Sequence, residues 1–144
     1  MNELLLMCTI AGRKAAIPAL RVQTVLEIDE ITPIPGTPSY IRGLTPLRSQ
    51  ALTVVDCSLA LGFDEKTNSP ERRAAVVELD GHLYALMVDA AEDVAEAIGN
   101  PIAIPGGLGD GWQRAATGMI ETASGPAVLV DVEAIIAGPP ALAA

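Results

Sequence analysis

Residues 33–56, PIPGTPSYIRGLTPLRSQALTVVD, decide how this chain is read. Three prolines in six residues, Pro33, Pro35 and Pro38, exclude a helix interior and require extended or turning backbone. The stretch closes on an apolar run, Leu52-Thr53-Val54-Val55, that reads as a buried strand ending at Asp56. Between them Arg48 stands among Leu44, Leu47 and Leu52. A cation in such company is expected to be paired or functional, because an unpartnered buried charge is costly.

Working outward, short elements continue in both directions. Leu4–Ile10 and Arg13–Pro18 read as two strands joined by a turn at Ala11-Gly12. Leu20–Ile28 fits a short helix or an irregular strand, and its periodicity does not choose between them. Leu44–Leu47 and Ala51–Val55 read as a strand pair, with Asp56 as the N-cap of a short helix stopped at Gly62. Residues 63–73, FDEKTNSPERR, read as an exposed connection and the best boundary. Ala74–Leu79 and His82–Val88 make a hairpin, since Asp80-Gly81 suits a type I′ turn. Asn100–Gly111 reads as a loop, Trp112–Thr122 and Pro126–Val130 as the last strands, and Val132–Ala137 as a helix capped by Asp131. The tail from Pro140 is expected to fray.

The two halves repeat. Gly12, Ala16, Ile17, Val25 and Glu27 fall on Gly81, Ala85, Leu86, Val94 and Glu96 at an offset of 69. Gly43, Val54, Val55 and Asp56 fall on Gly118, Leu129, Val130 and Asp131 at an offset of 75. The chain therefore reads as all-β with short helices, a duplicated small barrel whose shared face completes the core. The subdomains are expected at about residues 12–70 and 74–125, with the termini completing them. Asp56 and Asp131 occur in both copies, so capping explains them. Arg48 falls on Ala123, and features with a single copy are the better functional candidates.

Composition narrows the function. A net charge of −9 disfavours nucleic acid and anionic membrane surfaces and permits protein partners with basic rims. Only 3% of residues are aromatic, so Ala, Val, Leu and Ile must build the core. Cys8 and Cys57 lie in apolar segments without metal-ligand spacing and read as buried free thiols. No targeting or spanning segment is visible, which points to a soluble, cytoplasmic protein. The single histidine, His82, follows a turn and has no Ser or Cys motif beside it. Acids come as adjacent pairs, Asp29/Glu30 and Glu92/Asp93, which diverge in helix and strand alike. Gly106-Gly107-Leu108-Gly109-Asp110-Gly111 invites a phosphate-loop reading but lacks the Lys-Ser/Thr ending. The residues offer no catalytic set, no metal site and no cofactor. What survives is recognition: Leu44, Leu47 and the proline loop as walls of an apolar groove edged by Tyr40 and Ile41, fit for an amphipathic helix. Arg48 then pairs with Glu27, which interrupts the apolar run Val25-Leu26-Ile28.

At this point the residues resemble a known family. Val25-Leu26-Glu27-Ile28, Ile34-Pro35, Pro38-Ser39-Tyr40-Ile41-Arg42-Gly43-Leu44, Leu47-Arg48 and Val54-Val55-Asp56 are similar to the CheW family of bacterial chemotaxis coupling proteins. Val88-Asp89 and Leu129-Val130-Asp131 agree, so the likeness runs from about residue 4 to 138. The resemblance implies two five-stranded SH3-like barrels around a common core, and an adaptor rather than an enzyme. Such an adaptor links the cytoplasmic tips of methyl-accepting chemoreceptors to the regulatory domain of a CheA-type histidine kinase, in the cytoplasm at membrane-associated arrays, and takes part in ring assembly. It implies a receptor groove on Glu27, Tyr40, Ile41, Gly43, Leu44, Leu47 and Arg48, with the family's Glu–Arg pair at Glu27 and Arg48. Two positions depart from the family pattern: Pro46 and Ser49 stand around Leu47-Arg48 where Asn and Gly are usual. They leave open a divergent member that binds the kinase or array without coupling a receptor. A small-ligand binder using Gly106–Gly111 is the remaining alternative.

Overall fold

The computed structural model describes residues 3–139. Ten strands form two five-stranded sheets. The first is a closed barrel of β1 (Leu4–Ile10), β2 (Arg13–Pro18), β10 (Gly125–Val130), β9 (Ala116–Thr122) and β8 (Ala90–Ile102) in that order. The second runs β3 (Val22–Glu27), β6 (Arg73–Leu79), β7 (His82–Met87), β5 (Gln50–Asp56), β4 (Ile41–Leu47). The sheets do not part where the polar 63–73 connection lies. That connection joins strands of one sheet, while the barrel draws on both flanking stretches of the chain.

Strand alternation builds three cores from these two sheets. One face of the barrel strands, Leu5, Met7, Ala16, Ala127 and Leu129, fills the barrel interior. One face of the second sheet, Leu52, Val54, Ala74, Val76, Ala85 and Met87, fills its own. The opposite faces meet each other: Leu6, Cys8, Ile10, Ala15, Ile17, Val128 and Val130 from the barrel pack with Val55, Ala75, Val77 and Leu86 from the second sheet. Strands buried on both faces read as near-continuous apolar runs, as 74–77 does and as 52–55 does apart from half-buried Thr53. Burying each Leu, Ile or Val there contributes about 1.5–3 kcal/mol relative to exposure. Cys8 and Cys57 are free and buried in the shared layer. Burial pushes the Cys8 thiol up to about 12 and the Cys57 thiol well above its ordinary value, so both act as small hydrophobes.

The repeat is realised in the closure of the two rings. In the barrel, β8 pairs first with β1 and then, past an irregularity, reaches β9 through Ile102↔Met119. In the second sheet, β3 pairs with β6, and the chain beyond it reaches β4 through the single bridge Thr32↔Leu44. That bridge carries two hydrogen bonds, Thr32 N–H to Leu44 O at 2.8 Å and Leu44 N–H to Thr32 O at 2.9 Å. Leu44 and Met119 are equivalent at the offset of 75. So are Gly43 and Gly118, and both serve the same purpose. A Cβ at Gly43 would overlap the Thr32 carbonyl, and a Cβ at Gly118 would overlap the Ile102 carbonyl. Gly43 also has φ +140. Each ring closes over a glycine.

Turns follow their residues where the chemistry is strong. Ala11-Gly12 and Asp80-Gly81 have positive φ at both positions, as a type I′ hairpin requires. The ambiguous Leu20–Ile28 resolves into a 3₁₀ turn over Ala19–Arg21 followed by β3. Two expectations fail in the second half. Asn100–Ile102 belongs to β8 rather than to a loop, and Trp112 to Ala115 lie in a helix, α2 (Asp110–Ala115), rather than a strand. With α1 (Cys57–Ala60) and α3 (Val132–Ala137), α2 caps the seam between the sheets, where Trp112 is 1% exposed. The tail from Pro140 lies outside the described residues.

Three side chains fasten that helical layer. Arg114 of α2 donates to Ala60 O at 2.6 Å and Ala134 O at 2.9 Å, so helix-end carbonyls of α1 and α3 receive its charge. Tyr40 Oη donates to Ala137 O at 2.8 Å, and Gly138 leaves room for its ring. Arg21 holds Glu133 through two hydrogen bonds, of 2.6 and 3.2 Å. That bond keeps the Glu133 carboxyl below its ordinary range. Its contribution is present above the unfolded carboxyl pKa and fades as pH falls through the lowered value. Both side chains are exposed, so it amounts to about 0–1 kcal/mol.

Ring closure over glycine predicts unequal costs for adding one methyl. Gly43→Ala, which combines overlap with a strained φ, should lose about 3–5 kcal/mol, and Gly118→Ala about 1–3 kcal/mol. Urea unfolding monitored by Trp112 fluorescence measures both, and unchanged midpoints would show that closure does not need these glycines.

Candidate functional site

The sequence places seven residues at a groove, and the structure puts six of them on one strand and its flanks. Tyr40 leads into β4, Ile41, Gly43, Leu44 and Leu47 lie on it, and Arg48 starts the turn to β5. Ile41, Leu44 and Leu47 are half-buried and Arg48 is exposed. Leu47 packs on the interior core of the second sheet, and Ile41 on the shared layer. Pro46 is exposed on β4, an outer strand of the sheet order, where a missing donor is tolerated. Glu27 ends β3, five residues before the Thr32–Leu44 bridge.

The expected Glu27–Arg48 pair is not formed. Glu27 instead contacts Arg73 at 3.4 Å, and Arg73 is shared with Glu71 at 3.1 Å. All three are exposed, so the network contributes about 0–1 kcal/mol. Arg48 has no ion pair among the described residues and needs none, because its turn carries it out of the apolar company of Leu44, Leu47 and Leu52 into solvent. The turn is tight, with Leu47 facing Gln50 across it. The positive φ falls on Arg48, at +57°, and not on Ser49. A side chain in that region costs roughly 1–2 kcal/mol. Ala11 and Asp80 adopt the same region at the first position of their two-residue hairpin turns, so the value marks a tight turn.

Two other members of the group are framework as well as surface. Gly43 closes the second ring, as described above. Tyr40 fastens α3 with its hydroxyl, and its carbonyl accepts from Asp56 N–H at 2.8 Å.

The sequence reading passed over the centre of the electrostatics. Asp56 caps α1 by accepting from Leu59 N–H at 3.1 Å, as expected. It is also fully buried, and it receives far more than a cap. Thr67 N–H lies 3.0 and 3.1 Å from its two oxygens, the Thr67 hydroxyl donates at 2.6 Å, and Arg42 Nη1 stands 3.4 Å away. Arg42 keeps 29% of its side chain exposed while Asp56 keeps none. The equivalent Asp131 makes the cap alone, to Ala134 N–H at 3.2 Å. Thr67 sits in the polar 63–73 connection, where nothing in its neighbours marks it. Arg42 carried a signal, as a cation one residue from Ile41 and Gly43 on the strand already singled out.

In the glycine-rich segment packing requires one glycine, Gly111, whereas a Cβ at Gly106, Gly107 or Gly109 would meet nothing. Gly106–Leu108 form a 3₁₀ turn, and Gly111 lies so close to the Leu61 carbonyl that a Cβ would overlap it. Asp110 occupies the first turn of α2, placing a negative charge where a phosphate would have to sit.

Comparison with known proteins agrees with this architecture. A family model described as CheW-like domain matches residues 4–139. The chemotaxis protein CheW of Klebsiella aerogenes is 29% identical over 91 residues, 62% of this chain and 54% of that protein. CheW of Rhizobium meliloti is 25% identical over 85 residues, 59% of this chain and 55% of that one. The chain thus aligns with about half the length of these curated relatives. The scaffolding protein TtCheW of Thermoanaerobacter tengcongensis superposes with a TM-score of 0.77 at 25% identity, over 90% of this chain and 89% of that one.

The asymmetry of the two caps is testable. Asp56→Ala strands Thr67, Leu59 N–H and Arg42 and should cost about 3–5 kcal/mol, against about 1 kcal/mol for Asp131→Ala. Arg48→Gly should raise stability by about 1 kcal/mol by removing strain at the turn. Chemical denaturation of the three variants ranks them, and equal losses at the two aspartates would contradict a special role for Asp56. With the family model matching residues 4–139, the chain belongs to the CheW-like domain family.

Proposed function

We propose that this chain is a non-enzymatic cytoplasmic adaptor in chemotaxis signalling, coupling the cytoplasmic tip of a chemoreceptor to the regulatory domain of a CheA-type histidine kinase at membrane-associated arrays. The observation that carries the proposal is Arg48: exposed, free of ion pairs among the described residues, and held at φ +57 beside half-buried Leu44 and Leu47. A side chain held out in strained backbone, next to apolar surface, suits an incoming helix better than it suits stability. The partner face then comprises Tyr40, Ile41, Leu44, Leu47 and Arg48, with Gly43 shaping the strand and Glu27 at its margin. Coupling needs a second face, and the barrel supplies one. Val94, Ile98 and Ile102 of β8 are 53%, 52% and 68% exposed. Three large apolar side chains in solvent on one strand are what an interface with a second protein would cover. Among the described residues no helix is long and apolar enough to cross a membrane, so attachment to an array would run through these protein contacts.

One observation favours a second reading. Glu27 is engaged with Arg73 and not with Arg48, which leaves the family's Glu–Arg pair unmade. A member altered in this way would bind kinase or array without coupling a receptor, and Pro46 and Ser49 lie in the same turn region.

Immobilised receptor-tip hairpin and kinase regulatory domain from the same cell, tested separately, decide between them. Arg48→Ala should weaken retention by the receptor tip about two- to fivefold and spare the kinase domain. Ile102→Lys should do the reverse. Retention by the kinase domain alone supports the second reading, and retention by neither overturns the adaptor assignment.

A further inference from the structure

The receptor-facing strand lies in a stretch of sequence without acid. Residues 31–55 contain two arginines and no Asp or Glu, in a chain with 18 acidic residues among 144 and a net charge of −9. Topology makes this run a continuous surface. The 31–33 segment bridges to β4 at Thr32↔Leu44, β4 pairs with β5, and β5 lies beside β7, whose span His82–Met87 is also acid-free. Within the β4–β5 pair the one carboxylate, Asp56, is fully buried, and the exposed acids Glu27, Asp29, Glu30 and Glu78 lie at the margins, before the 31–33 segment and across β7. A second acid-free run, residues 4–26, is different because its neighbours bring acid to it. Glu92, Asp93 and Glu96 lie on β8 beside β1, and Glu133 holds Arg21.

Arg42 and Arg48 therefore stand in a strand pair whose single carboxylate, Asp56, is buried and engages only Arg42. Arg48 is exposed at the turn. Arg42 spends one nitrogen, Nη1, on Asp56 at 3.4 Å and keeps 29% of its side chain exposed. A guanidinium has five N–H donors, so the buried anion fixes its position while leaving most of its donors available.

Resting on the receptor-coupling reading above, we infer that this face selects an amphipathic helix flanked by acidic side chains, with Arg42 and Arg48 receiving its carboxylates and Leu44, on the same side of β4 as Arg42, its apolar stripe. Asp56, through Thr67, acts as the positioning residue for Arg42. The remaining surface of the protein, rich in acid, repels the same helix, so charge sets which face it docks on as well as how fast it arrives.

The test uses the full chain and two soluble helical hairpins built on one receptor-tip apolar pattern, one flanked by Glu and one by Lys, followed by fluorescence anisotropy. The Glu hairpin should bind at least about tenfold tighter than the Lys hairpin, as juxtaposed like charges disfavour the latter. Raising salt from about 0.05 to about 0.5 M should erase most of that preference, since exposed charges are then screened. Arg48→Gln should lower affinity for the Glu hairpin about two- to fivefold, and Arg48→Glu should invert the preference. Arg13→Gln, an exposed change on the barrel, should alter neither. Because the Arg48 variants sit in an exposed turn, they report on charge without endangering the fold, which Arg42→Gln would not. Equal affinity for the two hairpins, insensitive to salt and to Arg48, overturns the inference while leaving receptor coupling intact. Binding to neither overturns both.

Discussion

A single buried carboxylate ties together α1, the polar 63–73 connection and β4. Asp56 has no exposed surface, and it holds the start of α1, the polar 63–73 connection through Thr67, and the outward-facing Arg42 of β4. An ionised group in that position survives only if donors replace its water, and each donor it recruits is thereby fixed in place. The 63–73 stretch is mostly exposed and without regular structure, yet its middle cannot drift, because Thr67 supplies the anion with both a backbone and a side-chain donor. Charge burial thus fixes an irregular connection that strand pairing does not reach.

The two rings show how duplication separates framework from function. Both close where a strand's continuation meets the partner strand over a glycine, Gly43 against Thr32 and Gly118 against Ile102. Both end in an Asp-capped helix. Beyond that they diverge. The barrel closes through paired strands and the second sheet through one bridge, which leaves the proline loop and the outer edge of β4 largely free of pairing.

Much of the fold was legible because its signals are local or periodic. The hairpin turns at Ala11-Gly12 and Asp80-Gly81 follow from left-handed backbone, and the near-continuous apolar runs follow from burial on both faces. The misreadings share a cause. At six residues, α2 is under two turns, too short for a helical period to show, and Gly-Asp-Gly at its start imitates a loop. The extension of β8 through Pro101 looks like a break in sequence, and only the bulge across from β9 accommodates it. At the site, the apolar strand was readable and its charges were not. Arg48 was expected to be buried beside leucines, but a two-residue turn carries it out of the sheet, and Glu27 found Arg73 across the β3–β6 ladder instead. Ion pairs between residues far apart in sequence depend on register, which composition does not encode.

This arrangement also explains why Arg42, rather than Glu27, stands closest to the logic of the site. A surface glutamate held by a half-exposed arginine can be exchanged with little consequence, since solvent replaces either partner. A buried aspartate cannot release its cation so easily, because the anion would then rest on neutral donors alone. Arg42 is therefore positioned by the folding of the second sheet itself, before any partner arrives, and its guanidinium need not be ordered at the moment of binding. Preorganisation of that kind lowers the entropic cost of recognition without adding a contact. It places the anchored charge at the start of β4 and the adaptable one, Arg48, at the tip of its turn.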